Sequence, residues 1–172
     1  MDRFADVAVM QPSELKSLME AGKKLTLLDV RTREERAVSI LRGALAPEDL
    51  TPEVLARRTG ADAGPLVIYC TVGYRSSLEA RRIMAESALC PAAGVYSMPG
   101  VLAWAHGGGE LVDPATGQPT RRVHTFGEKW AQMAPSDCET ITFAPMRLGL
   151  RTLPVVCETV KDWVLRNVLR SR

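Results

Sequence analysis

The sequence predicts an α/β domain with a mainly parallel central sheet and helices on both of its faces. Three observations carry that expectation. Short β-rich runs recur at residues 25–30, 65–69 and 94–98. Amphipathic helical stretches separate them. The first two runs are apolar at nearly every position, as strands covered on both faces must be. A chain of 172 residues fits one such domain plus an appendage, at roughly 100–200 residues per domain.

Each element has a local reason. After Pro12, Ser13 to Ala21 reads as a helix with Leu15, Leu18 and Met19 inward, closed by Gly22. Leu25 to Val30 is the first strand. Thr51-Pro52-Glu53 opens a helix with a capping hydroxyl, a proline at the first helical position and an early acid, and it stops at Gly60. Pro65 to Tyr69 is the second strand. Ser76 to Ala88 is a helix with Ala80, Ile83, Met84 and Ala88 on one stripe, ending before Pro91. Gly94 to Met98 is the third strand, and Pro99 to His106 a short helix ended by Gly107-Gly108-Gly109. Asp113 to Gly117 is turn chemistry. Prolines 135, 145 and 154 then punctuate the chain, which places a domain at 1–135 and a connector with an amphipathic helix at 136–172.

Composition narrows the function. With 46% hydrophobic and 24% charged residues the chain is globular rather than disordered or fibrous. A net charge of +2 is too small for a general nucleic-acid binder. No run approaches the roughly 18 apolar residues of a membrane span. The acidic start of the chain argues against a secretory signal and for a cytoplasmic protein, with an organelle interior left open. The four cysteines, at 70, 90, 138 and 157, have neither zinc spacing nor a disulfide framework, which points to a reducing compartment.

The chemistry concentrates in Tyr69-Cys70-Thr71-Val72-Gly73-Tyr74-Arg75-Ser76-Ser77. A cysteine leaves the end of a buried strand just before a helix begins, the edge where ligands bind in open α/β sheets. Unpaired N–H groups and the positive dipole end of that helix favour the thiolate over the thiol. Gly73 lets the backbone turn its amides inward, and Arg75 adds a fixed positive charge. Burial of a cysteine needs neither.

Val67 to Ser76 resembles the active-site loop of single-domain rhodanese-like sulfurtransferases. Leu28-Asp29-Val30-Arg31 with Glu34-Glu35 is similar to that family's early motif, and Val95 to Trp104 to its late strand-to-helix segment. The resemblance covers residues 5–110. It departs at Ser39-Ile40-Leu41-Arg42-Gly43-Ala44, where the family often has His-Ile-Pro-Gly-Ala, and at Arg36, where it usually has an aromatic.

The resemblance implies a rhodanese-like fold and sulfur transfer through a persulfide on Cys70. Thr71, Val72, Gly73, Tyr74 and Arg75 form the anion-binding loop, with Asp29 and Arg31 in support. No metal or organic cofactor is implied. The donor is a thiosulfate-like small molecule, and the acceptor is cyanide, a thiol or a thioredoxin-like protein. Four residues separate Cys70 from Arg75, and the related phosphatases and arsenate reductases need one more. The shorter loop suits a sulfur atom. A non-catalytic rhodanese-like binding or regulatory module is the first alternative, and a phosphatase or arsenate reductase of the related type the second. Arg75 either steers the anionic donor or braces the loop against Asp29 or Glu79.

Other features carry less. His106 and His124 have no catalytic pairing implied by position, and His106 is placed to contact free carbonyls at a helix end. Cys90 reads as a buried residue rather than a resolving thiol. Gly107-Gly108-Gly109 lacks the preceding strand and following Lys of a phosphate cradle. Arg121 to His124 with Lys129-Trp130 reads as a solvated loop face or a small basic-aromatic patch, and Trp104 and Trp130 as core or docking residues. Residues 146–172 carry five Arg and one Lys against Glu158 and Asp162. Val156, Val160, Trp163, Val164 and Val168 recur there at helical spacing, so residues 154–170 dock on the domain, on a partner or on an anionic membrane surface.

Overall fold

The computed structural model describes residues 4–51, 53–54, 64–85 and 93–143. Its centre is a parallel sheet in the order β1-β2-β3, formed by Thr26–Asp29, Leu66–Tyr69 and Val95–Ser97. Thr26 lies opposite Leu66 and Asp29 opposite Tyr69, while Leu66 lies opposite Val95. Single parallel bridges widen the sheet at both edges, from Leu28 to Leu45 and from Ser97 to Val9. Every residue of β1 and β2 is buried. This is the two-sided burial that a run without polar alternation requires.

Helix α1, Pro12–Glu20, turns Leu15 into the core. Helix α2, Arg33–Arg36, is one turn long and held by a reciprocal capping box between Thr32 and Glu35. Helix α3, Tyr74–Ala85, buries Ser76, Ser77, Ala80 and Ile83. Met84 was expected on that stripe but is 38% exposed. The buried stripe turns away from Met84 because the Ser76 and Ser77 hydroxyls bond into the sheet, at Ser97. Thr51 accepts from the Val54 N–H as a capping hydroxyl should. The rest of that helix, Ala88, Cys90, Cys157 and the helix expected over 154–170 lie outside the described residues.

Helix α4, Val101–His106, follows β3 directly and buries five of its six residues. Leu111–Val112 (β4) and Pro119–Thr120 (β5) form a small antiparallel hairpin. Its turn is fastened by Asp113, whose Oδ1 accepts from the Ala115 N–H at 2.8 Å.

Beyond the hairpin, the structure corrects the sequence reading. Arg121 and Arg122 are exposed as a solvated face would be, but Arg122–Thr125 is a strand, β6, rather than a loop, with Val123 and His124 fully buried. The connector expected from residue 136 contains a further strand, β7 (Glu139–Thr142), parallel to β6 with Arg122 opposite Glu139. A short helix α5, Glu128–Ala131, joins the two. Trp104 is core, and Trp130 packs half-buried against it.

Candidate active site

Tyr69 ends β2, and its carbonyl accepts from the Val30 N–H, so the chain after β1 and the chain after β2 leave the sheet side by side. Cys70 follows at once, with 1% of its surface exposed. The loop then climbs into α3 through Gly73, whose φ of +90° is a conformation that glycine adopts without a side-chain penalty. That turn aims the Gly73 N–H at Cys70, where it donates to Sγ at 3.1 Å. The Ser76 hydroxyl lies 3.8 Å from the same sulfur, and Ser76 and Ser77 both bond the Gly73 carbonyl at 2.9 Å. Sγ therefore faces a backbone donor and a hydroxyl at the start of a twelve-residue helix, surroundings suited to an anion.

The other side of the loop is held by α4. The Val101 N–H donates to the Cys70 carbonyl at 2.8 Å, and the Leu102 N–H to the Thr71 carbonyl at 3.3 Å. Because peptides are planar and trans, tying these carbonyls to α4 turns the N–H groups of Thr71 and Val72 the other way. Gly100 makes the contact possible. Its φ is +100°, and a Cβ there would sit 2.4 Å from the Thr71 carbonyl oxygen.

Arg75 braces the loop, but against neither of the acids expected. Asp29 is taken by Arg31, and Glu79 by Arg82. Arg75 instead pairs with Glu35 of α2, Nη1 to Oε2 at 2.8 Å and Nη2 to Oε1 at 2.7 Å. Thr71 joins them, its hydroxyl donating to Glu35 Oε1 at 3.1 Å. The Thr32 N–H donates to Oε2 at 2.9 Å. Burial by itself would raise the Glu35 carboxyl. The Arg75 hydrogen bonds, the His124 contact and the Arg75 charge outweigh it and hold Glu35 well below the usual carboxylate range. For Arg75, burial opposes the charge, and the Glu35 hydrogen bonds and the charges of Cys70 and Glu35 raise it above its usual value.

Asp29 and Arg31 form a buried ion pair beside Tyr69, the residue that precedes Cys70. The Arg31 Nε and Nη2 donate to the Asp29 carboxylate at 2.9 and 2.6 Å, and Nη2 also donates to the Ser39 carbonyl at 2.6 Å. Both side chains are almost wholly buried. Burial would lower the Arg31 guanidinium, but the Asp29 charge beside it holds it above its usual range. Tyr69 lies against this pair, and its hydroxyl accepts from the Leu41 N–H at 3.1 Å. The segment from Ser39 to Leu41 is thus fastened to the sheet through Arg31 and Tyr69. Arg36 donates to the Arg31 carbonyl at 2.6 Å and pairs with Glu48.

Cys70 to Gly73 form the loop, Tyr74 and Arg75 open α3, and the Asp29–Arg31 pair lies against Tyr69, the residue before Cys70. Tyr74 points elsewhere, with its ring edge-on to Phe4. His106 contacts a carbonyl, but that of Met133 rather than one at the end of its own helix. Sequence reasoning missed Gly100 as a site residue, Glu35 as the partner of Arg75, and His124, and it gave Ser76 no role of its own within the loop stretch. The acid of the early motif and the Pro99-Gly100 pair were the signals for Glu35 and Gly100. The four-residue separation of Met98 from Leu102 did not reveal that α4 begins on the Cys70 loop.

The fold is rhodanese-like. Among solved structures the chain is similar to thiosulfate sulfurtransferase from Pseudomonas aeruginosa, with a TM-score of 0.53 and 19% identity over 74% of this chain and 23% of that one. It is also similar to a rhodanese-like domain protein from Staphylococcus aureus, with a TM-score of 0.45 and 25% identity over 57% of this chain and 91% of that one. A rhodanese-related protein from Thermoplasma volcanium gives a TM-score of 0.44 and 18% identity, over 62% and 98% of the two chains. No protein-family model matches the sequence, and no curated protein matches it.

Proposed function

We propose that this chain is a sulfurtransferase that carries a sulfane sulfur as a persulfide on Cys70. The observation that carries the reading is the Gly73 N–H donating to Sγ at 3.1 Å within a loop of four residues between Cys70 and Arg75. In the first half-reaction the Cys70 thiolate attacks the outer sulfur of thiosulfate. The sulfur–sulfur bond breaks, sulfite leaves with the bonding electron pair, and Cys70 becomes a persulfide anion. Loop N–H groups stabilise that anion as preorganised donors do, without reorganising during the reaction.

In the second half-reaction an acceptor attacks the outer sulfur, and the Cys70 thiolate returns as the leaving group. Cyanide yields thiocyanate, and a thiol, free or on a thioredoxin-like protein, yields a new persulfide. Arg75 braces the loop through its two hydrogen bonds to Glu35, and its part-exposed guanidinium keeps further N–H groups for an anionic donor. The test is turnover of thiosulfate and cyanide to thiocyanate by wild type and Cys70→Ser. Serine keeps the volume and can accept from Gly73 but cannot carry sulfur, so activity should vanish while the fold remains. A tenth of the wild-type rate in Cys70→Ser would contradict the reading.

A further inference from the structure

His124 is the one fully buried histidine among the described residues, and no step above uses it. It lies on β6, past residues 5–110, so the family resemblance does not account for it. Its Nδ1 sits 3.3 Å from Glu35 Oε1, the oxygen that also receives Arg75 Nη2 and the Thr71 hydroxyl. The ring stacks on Phe143 at 4.9 Å and meets Phe126 edge-on at 5.1 Å. Neither nitrogen has a well-aligned hydrogen bond, so the Glu35 contact is the ring's polar anchor. Burying an imidazole is costly unless a polar partner compensates, and the partner here is the carboxylate that clamps Arg75.

The same unit reaches Arg75 from a second side. The Phe126 ring, two residues beyond His124, lies 5.2 Å from the centre of the Arg75 guanidinium. We infer that His124 is a positioning residue for the Cys70 loop. It fixes the Glu35 carboxylate in the orientation that accepts both arms of Arg75 and the Thr71 hydroxyl, so the β6–β7 unit sets the geometry of the persulfide loop. The inference rests on the sulfurtransferase reading for the reaction it tunes.

The experiment compares His124→Asn with His124→Gln, which place an amide N–H near the former Nδ1 and near the former Nε2. It follows Cys70 persulfide formation from thiosulfate, with the melting temperature read in parallel. His124→Gln is expected to slow persulfide formation about tenfold or more, as misplaced reacting groups do, while His124→Asn retains most of the rate. In Glu35→Gln/His124→Gln the loss should equal that of Glu35→Gln alone, because the histidine acts through the carboxylate. His124→Phe, which keeps the stack on Phe143, replaces His124→Gln if that variant does not fold. Independent, multiplying losses at the two positions, or a wild-type rate in His124→Gln, would overturn the inference and leave the sulfurtransferase reading standing. Absence of any sulfur uptake by the wild type would overturn both.

Discussion

Arg75 and Glu35 face each other across forty residues of sequence, joined by two hydrogen bonds of 2.7 and 2.8 Å. Glu35 is fully buried and Arg75 is 30% exposed, so the pair closes one wall of the Cys70 loop with its cationic end toward the surface. Paired forks of this kind fix direction as well as distance, and here they tie α2 to the start of α3.

Glu35→Gln keeps the shape and removes the charge that Arg75, Thr71 and Thr32 address. It should destabilise the fold by about 2 kcal/mol at neutral pH, the scale of a lost charge-assisted hydrogen bond. Urea unfolding measures this, and an unchanged midpoint would show that the pair does not brace the fold.

The same carboxyl sets an acid limb in stability. Folding holds it well below its usual range, whereas the unfolded value is roughly 4.3. Its stabilisation is therefore complete above that unfolded value, where both states are ionised. It declines as pH falls from there toward the depressed folded value, because the unfolded state then binds the proton first. Between pH 5 and pH 3, roughly the span around that unfolded value, wild type should lose more stability than Glu35→Gln. Parallel urea midpoints for the two proteins across that span would contradict this.

Gly100→Ala tests the contact between α4 and the loop. The added methyl would press on the Thr71 carbonyl carbon and oxygen and on the Val72 nitrogen, at 2.4 to 2.6 Å, and the backbone there has φ +100°. Backbone cannot yield as a side-chain tip does, and the strain is on the order of 1–3 kcal/mol. A lowered melting temperature is expected together with slower Cys70 persulfide formation. A loss of stability with an unchanged rate would show that the loop does not depend on α4.

Tyr69→Phe removes the acceptor for the Leu41 N–H, a contact made in the buried interior. An unsatisfied buried donor costs about 1–3 kcal/mol. Chemical denaturation should show that loss, and a neutral substitution would mean that the Leu41 segment re-bonds elsewhere.

The strands and the loop were legible because their signals are local. Val67 to Tyr69 is an unbroken apolar run, and Cys70, Gly73 and Arg75 stand within six residues of one another. The partner of Arg75 was not legible, since Asp29, Glu79 and Glu35 were all acids within topological reach. The choice among them depends on Arg31 and Arg82 occupying the other two. His124 was hidden by its neighbours: Arg121 and Arg122 read as a solvated stretch, and the pairing that buries Val123 and His124 comes from Glu139–Thr142, past the proline-rich break. Met84 failed for a related reason, because the face of α3 is set by serine hydroxyls bonded to Ser97 rather than by its apolar residues alone.

The central claim is that Cys70 carries sulfur, and intact mass tests it most directly. Reduced protein mixed with thiosulfate should gain the mass of one sulfur atom. A reducing agent or cyanide should remove that gain, and peptide mapping should place it on Cys70. No gain in mass, or a gain that maps to Cys138 while Cys70 stays a free thiol, would contradict the account and favour a rhodanese-like module that binds without turning over.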